Sequence, residues 1–199
     1  GRTLVTALED KIQAHQALVS ASYGKLEAIE QNPKFAKSVK MATAQTGGIP
    51  ATVTMALPVD LRATKAALTP IYQQILRQYS VAQREASTGL KALENVVTGP
   101  DYGPLSQVDR DLSAIKKIAR EQGGVAKLAV KNLDAAVQQA ASKAGPEAIR
   151  ALQTGRQAVI AREATKELAE RLRTEPVQAY RQMTAPQDTG IDLLKTVAK

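Results

Sequence analysis

The stretch from Ser106 to Arg173 constrains the fold most, because apolar residues recur along it at three and four positions. Val108, Leu112, Ile115, Ala119, Ala126, Ala129, Leu133, Ala136, Val137 and Ala140 fall on one stripe of a helix. Gly145-Pro146 then supplies a left-handed terminal residue followed by one suited to the first turn of a new helix. Beyond it Ile149, Leu152, Val159, Ile160, Leu168 and Leu172 make a second stripe, and so short a connection favours antiparallel packing. The expectation is two long helices, Ser106 to Lys143 and Pro146 to Arg173. Ser106 reads as the N-cap of the first, with the carboxylate of Asp109 three residues on.

Two more long helices are expected. Arg2 to Gln31 carries Leu4, Leu8, Ile12, Leu18, Val19, Tyr23, Leu26 and Ile29, and Asn32-Pro33 ends it. Asp60 to Val97 carries Leu61, Leu68, Ile71, Ile75, Leu76, Leu90, Leu93 and Val96, with Pro70 marking a kink or a restart capped by Thr69. Tyr72 and Tyr79, seven apart, read as a core-edge pair on that helix. Lys34 to Ala44 reads as a short basic helix. Gln45 to Pro58 breaks the pattern with Gly47-Gly48, Pro50 and Pro58 around the apolar run Ile49 to Leu57. With no sheet partner in view, that run is expected to be a long connection over the bundle, containing at most a short ribbon. After Arg173, Thr174 to Met183 reads as a brief helix, and Thr189 with Asp192 caps a last one bearing Ile191, Leu194 and Val197.

The fold class expected is therefore all-α, an elongated bundle of about four long antiparallel helices with short C-terminal helices. A chain of 199 residues suits one domain. Its parts are residues 1–58 (first helix and connection), 59–144 (central helices) and 145–199 (last long helix and tail). Starting at Gly1-Arg2, it reads as a domain excised from a longer polypeptide.

Chemistry is harder to find than helix. There is no cysteine, no serine in pattern with the single histidine, no HExxH and no phosphate loop, so no enzyme, metal or cofactor is expected. His15 lies in the first apolar stripe and reads as a core or boundary histidine with one hydrogen bond, since a metal site needs further ligands. Glu163, Glu167 and Glu170, and Asp109 with Asp111, read as helix-surface and helix-start carboxylates. No apolar run is long enough to span a bilayer.

What remains is surface. The formal charge is +8, from 27 Lys and Arg against 19 Asp and Glu, which suits either solubility or attraction to polyanions. If the helix continues through Gly123-Gly124, then Lys116, Lys117, Arg120, Lys127 and Lys131 share one face opposite the apolar stripe. They are the candidate contact for nucleic acid or another anion, and without neighbouring aromatics they suit phosphates more than bases. Ile49, Val53, Met55 and Leu57 are the candidate protein contact.

Short segments also suggest a setting. Thr98-Gly99-Pro100-Asp101, Asp109-Arg110-Asp111-Leu112-Ser113-Ala114-Ile115-Lys116, Ala151-Leu152 with Gly155-Arg156-Gln157-Ala158, Glu175-Pro176-Val177-Gln178 and Asp188-Thr189-Gly190-Ile191 follow one another in order. In this the chain from Thr98 to Lys199 resembles helical segments of very large virion-associated proteins of tailed bacteriophages and prophages. The resemblance implies a non-enzymatic structural or assembly module, in the particle or in the host cell after ejection with DNA. Its partners would be other virion proteins, neighbouring domains of the same polypeptide or a second copy. The residues by themselves leave two alternatives: a nonspecific nucleic-acid-binding domain, and a helical protein-protein adaptor, which would place the chain in the cytoplasm.

Overall fold

In the computed structural model, which describes residues 2–41 and 47–177, helices dominate and two small antiparallel ribbons join them. Two units form, Leu26–Ile149 and a discontinuous one made of residues 1–25 and 150–199. Helices α1 (Arg2–Glu30) and α7 (Pro146–Thr174) each contribute residues to both units.

In the continuous unit, a single turn of 3-10 helix at Pro33–Phe35 follows α1, with the Asn32 side chain accepting from the Lys34 amide at 3.1 Å. Strand β1 (Ala36–Met41) then pairs antiparallel with β2 (Ala51–Ala56), from Ala36 opposite Ala56 to Met41 opposite Ala51. Leu57, at φ +46°, redirects the chain into β3 (Pro58–Asp60), which pairs with β4 (Tyr102–Pro104). Between those strands lie α2 (Arg62–Gln78), α3 (Val81–Ala86) and α4 (Thr88–Thr98). After β4 come α5 (Leu105–Gln122) and α6 (Gly124–Ala144). Helix α4 packs on α5, α5 on α6, and α2 on both α4 and α6. The core consists of the apolar faces these helices turn to one another, with Leu68, Ile75, Leu93, Val96, Leu105, Leu112, Ile115, Leu133 and Val137 almost wholly buried.

In the discontinuous unit the N-terminal part of α1 and the C-terminal part of α7 run antiparallel. Arg173 pairs with Glu9, Arg162 donates to Gln16, and Gly155 lies against Ser22 and Tyr23, so positions rise along one helix as they fall along the other. Leu8, Leu168 and Ala169 form a small core, with Ile12 and Leu172 packed on it. A Cβ at Gly155 would meet the Ser22 Cβ at 3.3 Å and the Tyr23 ring at 3.4 Å, so glycine lets the two backbones approach closely here.

The helical class holds, and so do α1 and α7 as long helices. Three expectations are corrected, and of the two alternatives left open at Pro70 the restart is ruled out. Lys34 to Ala44 is not a short helix: Ala36–Met41 is a strand, and it is the sheet partner that the Ile49 to Leu57 run was missing. Asp60 to Val97 is three helices, because Ser80 and Ser87 each start a new one with the side chain accepting an amide of the first turn. Pro70 lies inside α2, and Thr69 donates its hydroxyl to the Lys65 carbonyl at 2.7 Å instead of capping a restart. Ser106 to Lys143 is two helices, since Gly123 sits at φ +71° and Gly124 at φ +27°, outside the right-handed helical region. Tyr79 accordingly lies beyond α2 and is exposed, whereas Tyr72 is buried. Leu4, Leu18 and Ile160 also lie exposed, off the packed faces. Of the brief helices expected at Thr174 to Met183 and from Thr189, all but residues 174–177 lie outside the described residues, and Thr174 itself ends α7.

Candidate contact surfaces

Helix α5 starts one residue before Ser106, and its cap comes from elsewhere. The Glu30 carboxylate, at the end of α1, accepts the Ser106 amide on Oε1 at 2.7 Å and the Ser106 hydroxyl on Oε2 at 2.7 Å. A carboxylate there satisfies a free first-turn amide and meets the positive end of the helix dipole. Beside it Arg110 of α5 pairs with Glu27 at 2.5 Å. Burial pushes the Glu30 carboxyl above its ordinary value, outweighing the two bonds from Ser106 that pull it down.

A second polar joint fastens the start of α2. Lys65 Nζ donates to the Gly99 carbonyl at 2.7 Å and to Asp101 Oδ1 at 2.9 Å, and the Leu61 amide donates to the Asp101 carbonyl at 2.8 Å. Arg62 grips Asp60 with Nε and NH2, at 3.0 and 2.6 Å, and its guanidinium lies 5.2 Å from the centre of the Tyr102 ring. The Arg62 hydrogen bonds hold the Asp60 carboxyl below its ordinary value.

The five basic residues do not make one continuous stripe. The chain turns back at Gly123, and Lys116 of α5 reaches across to Asp134 of α6 at 3.4 Å, where both are partly covered. Lys117 and Arg120 on α5, and Lys127 and Lys131 on α6, are exposed and have no ion-pair partner among the described residues. The four apolar candidates are also divided. Val53 and Met55 are half-buried on one face of β2, Leu57 is buried in the core at 5% exposure, and Ile49 stands 72% exposed before the strand.

No family model, curated protein or solved structure matches the chain.

His15 is buried at 4% exposure, as its place in the stripe predicts, and its Nε2 has no hydrogen-bond partner among the described residues. Among the described residues no three His, Asp or Glu side chains gather as metal ligands. No described helix is long and apolar enough to cross a membrane. Tyr72 is the other buried titratable group of note. Burial first, and then the neighbouring Glu94 carboxylate, raise its phenol above the ordinary value. Sequence reasoning did not single out Lys34, in the turn before β1, and Lys37 and Lys40 of β1 as a set. Their signal was the unbroken absence of Asp and Glu between Glu30 and Asp60.

Proposed function

We propose that the chain is a non-enzymatic structural and assembly module of a virion-associated protein of a tailed phage or prophage, working by contact and not by turnover. The observation that carries this is the use made of its polar side chains. Ser106, the buried serine of α5, is tied up by Glu30, while Thr165, buried in α7, donates to the Ala161 carbonyl of its own helix at 2.7 Å. Lys65 is spent in the same way on Gly99 and Asp101. Side chains committed to bonds within and between elements of the fold are not poised as nucleophile or base. The phage setting rests on the resemblance of Thr98 to Lys199, and it implies other virion proteins, flanking segments or a second copy as partners.

Particles of the phage or prophage whose genome encodes the chain test this reading. Peptides from residues 62–174 should be recovered by mass spectrometry from gradient-purified particles. Their absence from particles, or a hydrolytic activity that follows the purified chain through every column, would overturn it.

Nonspecific nucleic-acid binding is the second reading, favoured by the exposed cations Lys117, Arg120, Lys127 and Lys131, which have no ion-pair partner among the described residues. A protein-protein contact through Ile49 to Leu57 loses support from the burial of Leu57, which is used in the core.

A further inference from the structure

Between Glu30 and Asp60 the chain carries three lysines, Lys34, Lys37 and Lys40, and no acidic residue. Within it Ala36–Met41 and Ala51–Ala56 form the two-stranded ribbon, and β1 and β2 pack chiefly on each other. Directly opposed residues of an antiparallel pair share a face. One face therefore holds Lys37 with Met55, Val39 with Val53, and Met41 with Ala51. Apart from Lys37 it is half-buried or buried. The other face holds Ser38 with Thr54 and Lys40 with Thr52, all exposed.

The three lysines are exposed and none has an ion-pair partner among the described residues; Lys34 lies 4.8 Å from the centre of the Phe35 ring. The acids that bound the stretch are already engaged, Glu30 by Ser106 and Asp60 by Arg62. Nothing within the ribbon neutralises it.

We propose that the β1–β2 ribbon is a contact for the sugar-phosphate backbone of duplex DNA, made by Lys40 on its outward face, by Lys37, exposed on the other face, and by Lys34 in the turn before β1. Charge complementarity selects a polyanion. Lysines act on phosphates as point charges, and the hydroxyls of Ser38, Thr52 and Thr54 supply the short donors that commonly accompany them. A two-stranded ribbon is also of a width that DNA grooves admit. The other candidate occupant, a strand added to a free edge, is disfavoured because lysines on edge strands oppose such pairing. This contact differs from the helical one of Lys117 to Lys131 and does not depend on the virion setting.

Fluorescence anisotropy with a labelled mixed-sequence duplex tests it on the whole chain. Three phosphate contacts predict a slope of log affinity against log salt of about −2.7 from the ribbon alone, or roughly fortyfold between 50 and 200 mM salt. The triple variant Lys34→Gln/Lys37→Gln/Lys40→Gln should lose about tenfold or more in affinity and should flatten the slope by about that amount. The equally discharged variant Lys117→Gln/Lys127→Gln/Lys131→Gln should lose distinctly less. Both variants should keep the wild-type circular dichroism spectrum, because the substituted side chains are exposed. Equal losses in the two variants would assign binding to net charge and overturn the proposal. So would an absence of binding by the wild type at 50 mM salt, affinity indifferent to salt, or preference for phosphatidylserine vesicles over DNA.

Discussion

Glu30 and Ser106 lie 76 residues apart in the chain and share two hydrogen bonds of 2.7 Å. One carboxylate thus ends α1, caps α5 and fixes where the second helix begins. Truncating it leaves the Ser106 amide and hydroxyl without their acceptor in a partly covered site. Glu30→Ala should cost about 2 kcal/mol and Ser106→Ala about 1 kcal/mol, read as midpoint shifts in urea unfolding at constant slope. The double variant should cost less than the sum of the two, because each single change already breaks the shared bond.

The same carboxylate sets a pH signature. Its folded value lies above the ordinary 4.5, so the folded state keeps the proton at a pH where the unfolded chain has released it. The resulting stabilisation is fully present below pH 4.5 and is lost as pH rises through the folded value. Asp60 has the opposite sign. Held below its ordinary 3.8 by Arg62, it contributes stability above that pH and loses it as pH falls through the lower folded value. Melting temperatures from pH 3 to 7 should therefore show wild type gaining on Glu30→Gln as pH falls towards 4.5, and losing its margin over Asp60→Asn below pH 3.8.

Leu112, Ile115 and Leu152 are buried. Each alanine substitution should cost roughly 2 to 5 kcal/mol, from lost transfer energy and the cavity left behind. Chemical denaturation measures this directly, and a cost below 1 kcal/mol at Leu112 would contradict its burial.

Two glycines near the Lys65 joint should resist alanine for steric reasons. A Cβ at Gly103 would stand 2.7 Å from Val108 Cγ2, a stiff buried methyl, and one at Gly99 would stand 2.2 Å from the Asn95 carbonyl oxygen. Gly103→Ala should cost about 1 to 3 kcal/mol and Gly99→Ala at least as much, since a backbone oxygen yields less readily than a side chain. Thermal unfolding followed by circular dichroism would rank them.

Helix faces were legible in the sequence because burial repeats with the helical period. Every residue named on the stripe from Val108 to Ala140 is buried except Ala136, which is half-buried, and this holds on both sides of the break at Gly123. The break itself was not legible. A glycine inside a helix costs only about 1 kcal/mol, so packing between α5 and α6 decides whether the chain continues or turns. The ribbon did leave a local trace, the alternation of Ser38-Val39-Lys40-Met41 against Thr52-Val53-Thr54-Met55 across Gly47-Gly48. Six residues are too few for that period to exclude a short helix. For the surfaces, charge could be read but pairing could not. Nothing local marks Lys116 as the partner of Asp134 or Ser106 as the partner of Glu30, because both bonds depend on which helices meet.

The unit Leu26–Ile149 is one uninterrupted stretch, whereas the other is assembled from the two ends of the chain. During synthesis the first can acquire its contacts once Ile149 has emerged, but Leu8 and Ile12 must wait for Leu168, Ala169 and Leu172 to be made. Closing so long an interval is entropically slow unless the intervening chain is already folded. The order of packing thus inverts the order of synthesis: residues made before the continuous unit are among the last to find their neighbours.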